Sequence, residues 1–254
     1  MSKLAPANSD SARSLDHGAR ATLRKTLVVC GALSILLLLV VIIASTLGSE
    51  RIPVVDSLRA LFTGGANSGA LTSTQLSILF DIRLPRILLA AMVGASLAAA
   101  GASYQALLRN ALAEPYLLGI SNGAAVGTMI ALVFLGANEW TRPIMAFAGA
   151  LGATFVVYRL ARGRAGASPE RLILAGVIVT TFQSSVIVFI TTLMDATRIR
   201  SFTFWLLGDL SQAAAGSLWI AGIATIVGVA ALTFKARALN LIMLGERDAF
   251  DLGV

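Results

Sequence analysis

Cysteine and histidine are almost missing from these 254 residues: Cys30 is the one thiol and His17 the one imidazole. A single copy of each builds no disulfide within the chain, no Cys/His metal cluster and no Cys–His nucleophile pair. Charge is scarce as well. Charged residues make up 13% of the chain, against roughly 25% in a soluble domain. Hydrophobic residues make up 57%, and the mean hydropathy is +0.83. That much apolar surface cannot be hidden in one soluble core, so hydrocarbon is the expected solvent.

The apolar runs have no Asp, Glu, Lys, Arg or His in their middles. Acidic residues stand only at their ends, as Asp81, Glu114, Glu139, Glu170, Asp195 and Asp209. A proton-coupled carrier needs an ionisable group at membrane depth. An intramembrane hydrolase needs a nucleophile with a base or a metal. Neither constellation is visible, and no G-x-x-x-x-G-K-[ST] phosphate loop occurs. The sequence therefore points to no enzyme and no self-powered carrier, but to a conduit or scaffold worked by a partner.

The net charge of +7 does not point to nucleic acid, because the basic residues sit in short loops between apolar runs. There they set membrane orientation. Residues 1–25 are polar and read as a mobile tail. Thr26–Leu47 is uncharged and long enough to cross about 30 Å of hydrocarbon as a helix. A cleaved signal peptide is the alternative, but its apolar region is usually only about 7–15 residues. Further runs at Arg86–Leu108, Leu117–Leu135, Pro143–Leu160, Leu172–Met194 and Ser217–Phe234 bring the expected total to about six spans. With the N-terminus inside, the inside segments hold 13 of the 20 Lys and Arg residues. Both termini are then cytoplasmic. Gly48–Ile82 becomes an extracytoplasmic loop with a surface helix around Val54–Phe62.

Small and weakly polar residues mark the spans. Gly119, Gly123 and Gly127 recur every four positions and predict a ridge for close helix contact. Gly94, Ala98 and Gly101 predict a weaker one. Leu172–Met194 carries Thr180, Thr181, Gln183, Ser184, Ser185, Thr191 and Thr192. Its hydroxyls can bond back to their own helix. The glutamine needs a partner or water, so this run either bonds a neighbouring helix or lines a wet pathway. Gln105 admits the same two readings.

Residues 83–127 read RLPRILLAAMVGASLAAAGASYQALLRNALAEPYLLGISNGAAVG. This stretch resembles the FecCD-type permeases of ABC importers. Their pattern is RLPR, then G-x-x-x-Q, an N-P-L-A-[DE]-P turn and L-L-G-[IV]-S-x-G-A. Here the pattern falls on Arg83–Arg86, Gly101–Gln105, Asn110–Pro115 and Leu117–Ala124, so Gln105, Asn110, Pro115 and Gly119 are its motif residues. Ala111 departs from it by replacing a proline. Ala236–Val254 resembles the family's cytoplasmic coupling segment, and Trp205–Ser211 also fits.

The resemblance implies an all-α polytopic bundle like the N-terminal part of a ten-span permease. It divides the chain into a tail (1–25), a transmembrane permease domain (26–235) and a coupling segment (236–254). The implied function is the permease subunit of a binding-protein-dependent importer of iron–siderophore, haem or cobalamin cargo. Its home is the bacterial inner membrane. Arg83 and Arg86 would dock acidic residues of a periplasmic or extracellular binding protein. Leu239, Leu244, Gly245, Glu246, Ala249, Leu252 and Gly253 would contact an ABC ATPase subunit, where ATP is bound; no cofactor is expected on this chain. A second permease copy would complete a twofold pathway lined by Thr180, Thr181, Gln183 and Ser184. Similar permeases continue for about four more spans after the coupling segment, so a truncated, non-transporting remnant or scaffold is the alternative expectation. No residue selects among the cargoes.

Overall fold

The computed structural model describes residues 9–48, 50–64, 71–136, 138, 140–163, 166–210, 215–245 and 251–253. They fall in two units, residues 1–87 and 88–254.

In the first unit, α1 (Ser9–Thr46) is a single helix of 38 residues. It reaches further toward the N-terminus than the expected span and takes up most of the expected mobile tail. Ala, Arg and Leu in Ser9–Lys25 are strong helix formers, so the helix continues after the apolar run has stopped. From Leu23 to Leu39 its large apolar side chains stand more than half exposed, as side chains that face lipid do. The expected surface helix is α2 (Val54–Thr63). It starts after Pro53, whose ring sets φ at −56°, and stops at Gly64, which adopts φ +60°. Ala60 of α2 joins Ile52 and Leu79 in a small core.

A short helix, α3 (Ser73–Ser77), opens on a reciprocal cap. The Gln75 amide N–H donates to Thr72 Oγ1 (3.3 Å), and the Thr72 amide N–H donates to Gln75 Oε1 (3.1 Å). Further along, Pro85 lacks an N–H and its ring crowds the carbonyl four residues back. To relieve that crowding the helix widens into π-turns over Ile78–Arg83, where Leu84 N–H bonds the carbonyl of Leu79. It continues as α4 (Leu84–Leu108). The unbroken run Ser73–Leu108 has 36 residues, about 54 Å of helix, where a span from Arg86 was expected.

In the second unit, α5 (Ile120–Ile130) ends in π-turns over Ala131–Leu135. After it come α6 (Thr141–Ala161), a two-residue hairpin of β1 (Arg162–Gly163) and β2 (Gly166–Ala167), and α7 (Pro169–Thr191). Then come α8 (Ala196–Leu207), α9 (Ala215–Phe234) and α10 (Ala236–Leu244). The axis bends by 54° between Phe234 and Ala236, where α9 gives way to α10. Among the described residues four helices are long and apolar enough to cross a membrane alone, and the bent pair α9–α10, taken as one span, makes a fifth. The expected span Leu117–Leu135 is shorter than that, Ile120–Leu135, because Leu117 and Leu118 lie in a turn.

The glycine ridge is divided between two neighbours. An added Cβ at Gly123 would lie 2.5 Å from Gly149 O and 2.6 Å from Ala153 Cβ, and one at Gly127 would overlap the Met145 carbonyl. Both glycines therefore seat α5 backbone-to-backbone on α6. Gly119 instead faces α7. The second expected ridge is open at Gly94, where an added Cβ would meet nothing within 4 Å, while one at Gly101 would lie 3.8 Å from the Pro115 ring.

Candidate functional site

The stretch after α4 is irregular backbone built by a few local bonds. Arg109 turns the chain at φ +50°. The Asn110 amide N–H donates to the Gln105 carbonyl (3.1 Å), and Asn110 Oδ1 accepts the amide N–H of Leu112 (2.9 Å). That side-chain turn mimics a backbone turn, which is the work asparagine does best. Leu112 is left 85% exposed at its tip. Ala113 and Leu118 then run against α6 and α7 in one core with Val157, Ala161, Leu172, Ala175 and Val179.

This segment climbs along α7. Gly176 leaves room for the Leu117 carbonyl, which a Cβ there would overlap. Gly119 then adopts φ +71° and opens α5 beside Thr180 and Gln183. Thr180 stands eleven residues from the start of α7, about 16 Å along its axis. The first turn of α5 is therefore placed halfway along a full-length span. Non-helical backbone is tolerated at such depth only where it is buried in protein or borders a wet cavity.

A polar seam joins the two helices there. Asn122 Nδ2 donates to the Thr180 carbonyl (3.2 Å) and to Ser184 Oγ (2.9 Å). Ser184 Oγ donates to the same Thr180 carbonyl (3.0 Å). Gln183 Oε1 is buried and has no hydrogen-bond partner among the described residues. Thr180 and Thr181 border a cleft of about 270 Å³ with Glu114, Tyr116, Leu117 and Val177. The structure thus divides the four predicted lining residues. Ser184 bonds α5, Thr181 and Thr180 edge the cleft, and Gln183 lies against Gly119. Asn122 is the seam residue that sequence reasoning left out. A lone amide in a mostly apolar helix, three residues past the opening glycine, was the available signal.

A second cleft, of about 430 Å³, lies between α4 and the bent pair α9–α10. Ser103, Gln105, Thr233 and Asn240 are the polar residues of its mostly apolar lining, to which Leu239 also contributes. The motif glutamine and the first predicted coupling residue thereby share one cleft. Among the remaining coupling residues, Gly245 ends α10 at φ +135°, Leu252 is exposed and Gly253 adopts φ +85°. Leu244 is the last residue of α10. Glu246 and Ala249 lie outside the described residues.

The two predicted docking arginines differ. Arg86 is exposed. Arg83 is only 9% exposed, and its guanidinium is turned onto backbone. Nη1 donates to the Ser45 carbonyl (2.8 Å) and Nη2 to the Glu50 carbonyl. Among the described residues no group of three or more His, Cys, Asp or Glu side chains is placed to hold a metal.

Known proteins resemble this arrangement. Residues 36–254 match the FecCD transport family. The cobalamin import system permease protein BtuC of Halobacterium salinarum is 36% identical over 82% of this chain and 58% of its own length. The hemin transport system permease protein HmuU of Yersinia pestis is 36% identical over 87% of this chain and 66% of its own length. The chain thus spans about three-fifths of these relatives. A solved inward-facing structure of a metal-chelate-type ABC transporter superposes with a TM-score of 0.74 at 25% identity, over 89% of this chain and 68% of that one. This chain, a multi-pass membrane protein, belongs to the FecCD transport family.

Proposed function

We propose that this chain acts as the membrane-spanning permease subunit of a binding-protein-dependent ABC importer for cobalamin, haem or iron–siderophore cargo. The observation that carries this reading is its likeness along 89% of its length to a metal-chelate-type ABC transporter. The seam and the two clefts give the reading a physical basis. The α5–α7 seam supplies neutral hydrogen-bonding groups in an apolar bundle, fit for a large cargo that need not be held by charge. The chain has no phosphate loop, so the driving force comes from an ATPase partner.

In this reading α10, Gly245, Glu246, Ala249, Leu252 and Gly253 lie in the cytoplasm and contact that partner, an amphipathic segment in a groove. The elbow between α9 and α10 carries the motion to the cleft that holds Gln105 and Asn240. The excess of Lys and Arg on the assigned cytoplasmic side supports this orientation. Arg86 stands on the outer side and meets a carboxylate of the binding protein, since guanidinium pairs with carboxylate in bidentate fashion. A second copy completes the pathway about a twofold axis.

The test is reconstitution of the full chain in proteoliposomes with its ATPase and binding protein, with uptake measured for labelled cobalamin, haemin and a ferric hydroxamate. ATP-dependent accumulation of one of them is expected. No accumulation of any, with no association between chain and ATPase, would refute the proposal.

A further inference from the structure

The first unit contains a buried arginine whose partners are main-chain carbonyls. Ser45 lies in the last turn of α1, where carbonyls have no partner within the helix and the helix dipole is negative. Arg83 Nη1 donates to one of these carbonyls (2.8 Å), while Nη2 donates to the Glu50 carbonyl in the loop beyond the helix. Ser45 is 1% exposed and Thr46 8%, so the last two residues of the helix are shielded from solvent, while Leu47 just beyond them is exposed. Gly48 lies in sequence between the two residues whose carbonyls accept these bonds, and a Cβ there would overlap Arg83 Nη2. The chain folds round the guanidinium, and only glycine leaves the space. The Pro85-driven π-turns of Ile78–Arg83 widen the helix where Arg83 projects.

We infer that Arg83 is a positioning residue: it closes the C-terminal end of α1 and fixes Glu50 and the residues 51–53 that lead into α2. This deepens the docking part of the proposed function and rests on that reading. Of the two arginines in the RLPR motif, Arg86 would meet the partner, and Arg83 would hold the edge on which it is met. Arg51 at the foot of α2 and Arg59 on it are exposed, so the loop held by Arg83 also places two more cations. The planar fork of arginine suits a bridge between two carbonyls, whereas a lysine ammonium on its flexible stem is a point charge.

Arginine-selective labelling tests this on the full chain in unsealed membranes, using p-hydroxyphenylglyoxal and peptide mass spectrometry. Arg51 and Arg59 should react at least ten times faster than Arg83. Gly48→Ala should raise the labelling of Arg83 several-fold by displacing its guanidinium. Limited trypsin digestion gives a second reading: Arg83→Lys, which keeps the charge and loses the bridge, should speed cleavage at Arg51 about tenfold, while Arg86→Gln leaves it unchanged. Arg83 labelled as fast as Arg51 in the unsubstituted chain would overturn the inference. So would Arg83→Lys with an unaltered cleavage rate. Neither readout involves transport or a binding protein, so failure of the importer reading would leave both standing.

Discussion

Replacing Gly119 with alanine isolates the seam between α5 and α7. Two costs are expected. Gly119 holds φ +71°, where a Cβ costs about 1–2 kcal/mol. The added Cβ would also lie 3.0 Å from Thr180 Oγ1 and 3.1 Å from Gln183 Oε1. Those oxygens must recede by a few tenths of an ångström, which adds about 1 kcal/mol. The total is roughly 2–3 kcal/mol. Gly64→Ala is the matched control, because Gly64 shares the left-handed conformation (φ +60°, ψ 26°, against φ +71°, ψ 15° at Gly119) and meets nothing within 4 Å. It carries the backbone cost alone. Unfolding in mixed detergent micelles, monitored by tryptophan fluorescence, gives both losses under one condition. Gly119→Ala should be the more destabilising by about 1 kcal/mol. Equal losses would show that the seam does not close on Gly119. If the proposed pathway runs beside the seam, Gly119→Ala should also lower uptake at protein levels where Gly64→Ala does not.

Asn122→Ala removes two interhelical hydrogen bonds, each worth about 0.6–1.7 kcal/mol in a membrane, so the same titration should show a loss of roughly 1–3 kcal/mol. Gly127→Ala should destabilise the α5–α6 pair by about 1–3 kcal/mol through overpacking, whereas Gly94→Ala, with open space around it, should be near neutral. Gly245→Trp forces a side chain onto φ +135° at the end of α10 and should leave partner ATP hydrolysis running while uptake falls in a vesicle assay. Arg86→Glu should weaken capture of an acidic binding protein in a pull-down by tenfold or more; unchanged capture would remove Arg86 from that surface.

The seam and the clefts show how far residue order goes. Hydrophobic runs place α1, α4, α6 and α7, because a helix is the cheapest way to satisfy backbone groups in hydrocarbon. Gly123 and Gly127 were legible as a packing face, since period-four spacing is a local property of a helix. Gly119 shares that spacing but does another job, because the residues before it are irregular and it opens the helix. The hydroxyls of α7 left bonding and pathway lining equally open. Thr180 and Ser184 met Asn122 only once two segments about 60 residues apart were side by side. Arg83 and Arg86 look alike in RLPR, yet the widened turn before Pro85 sends one inward and leaves the other exposed.

By itself the sequence determined the solvent, the helical class, the family and the poverty of ionisable chemistry in the spans. The family came from the resemblance of several motifs in order; the others arise from composition or from spacing along one element. Only tertiary structure decided that α5 starts halfway along its neighbour, that Asn122 ties the seam, and that Arg83 closes the end of α1. Those facts depend on which distant carbonyls and side chains come within about 3 Å, and no local pattern in the chain records that.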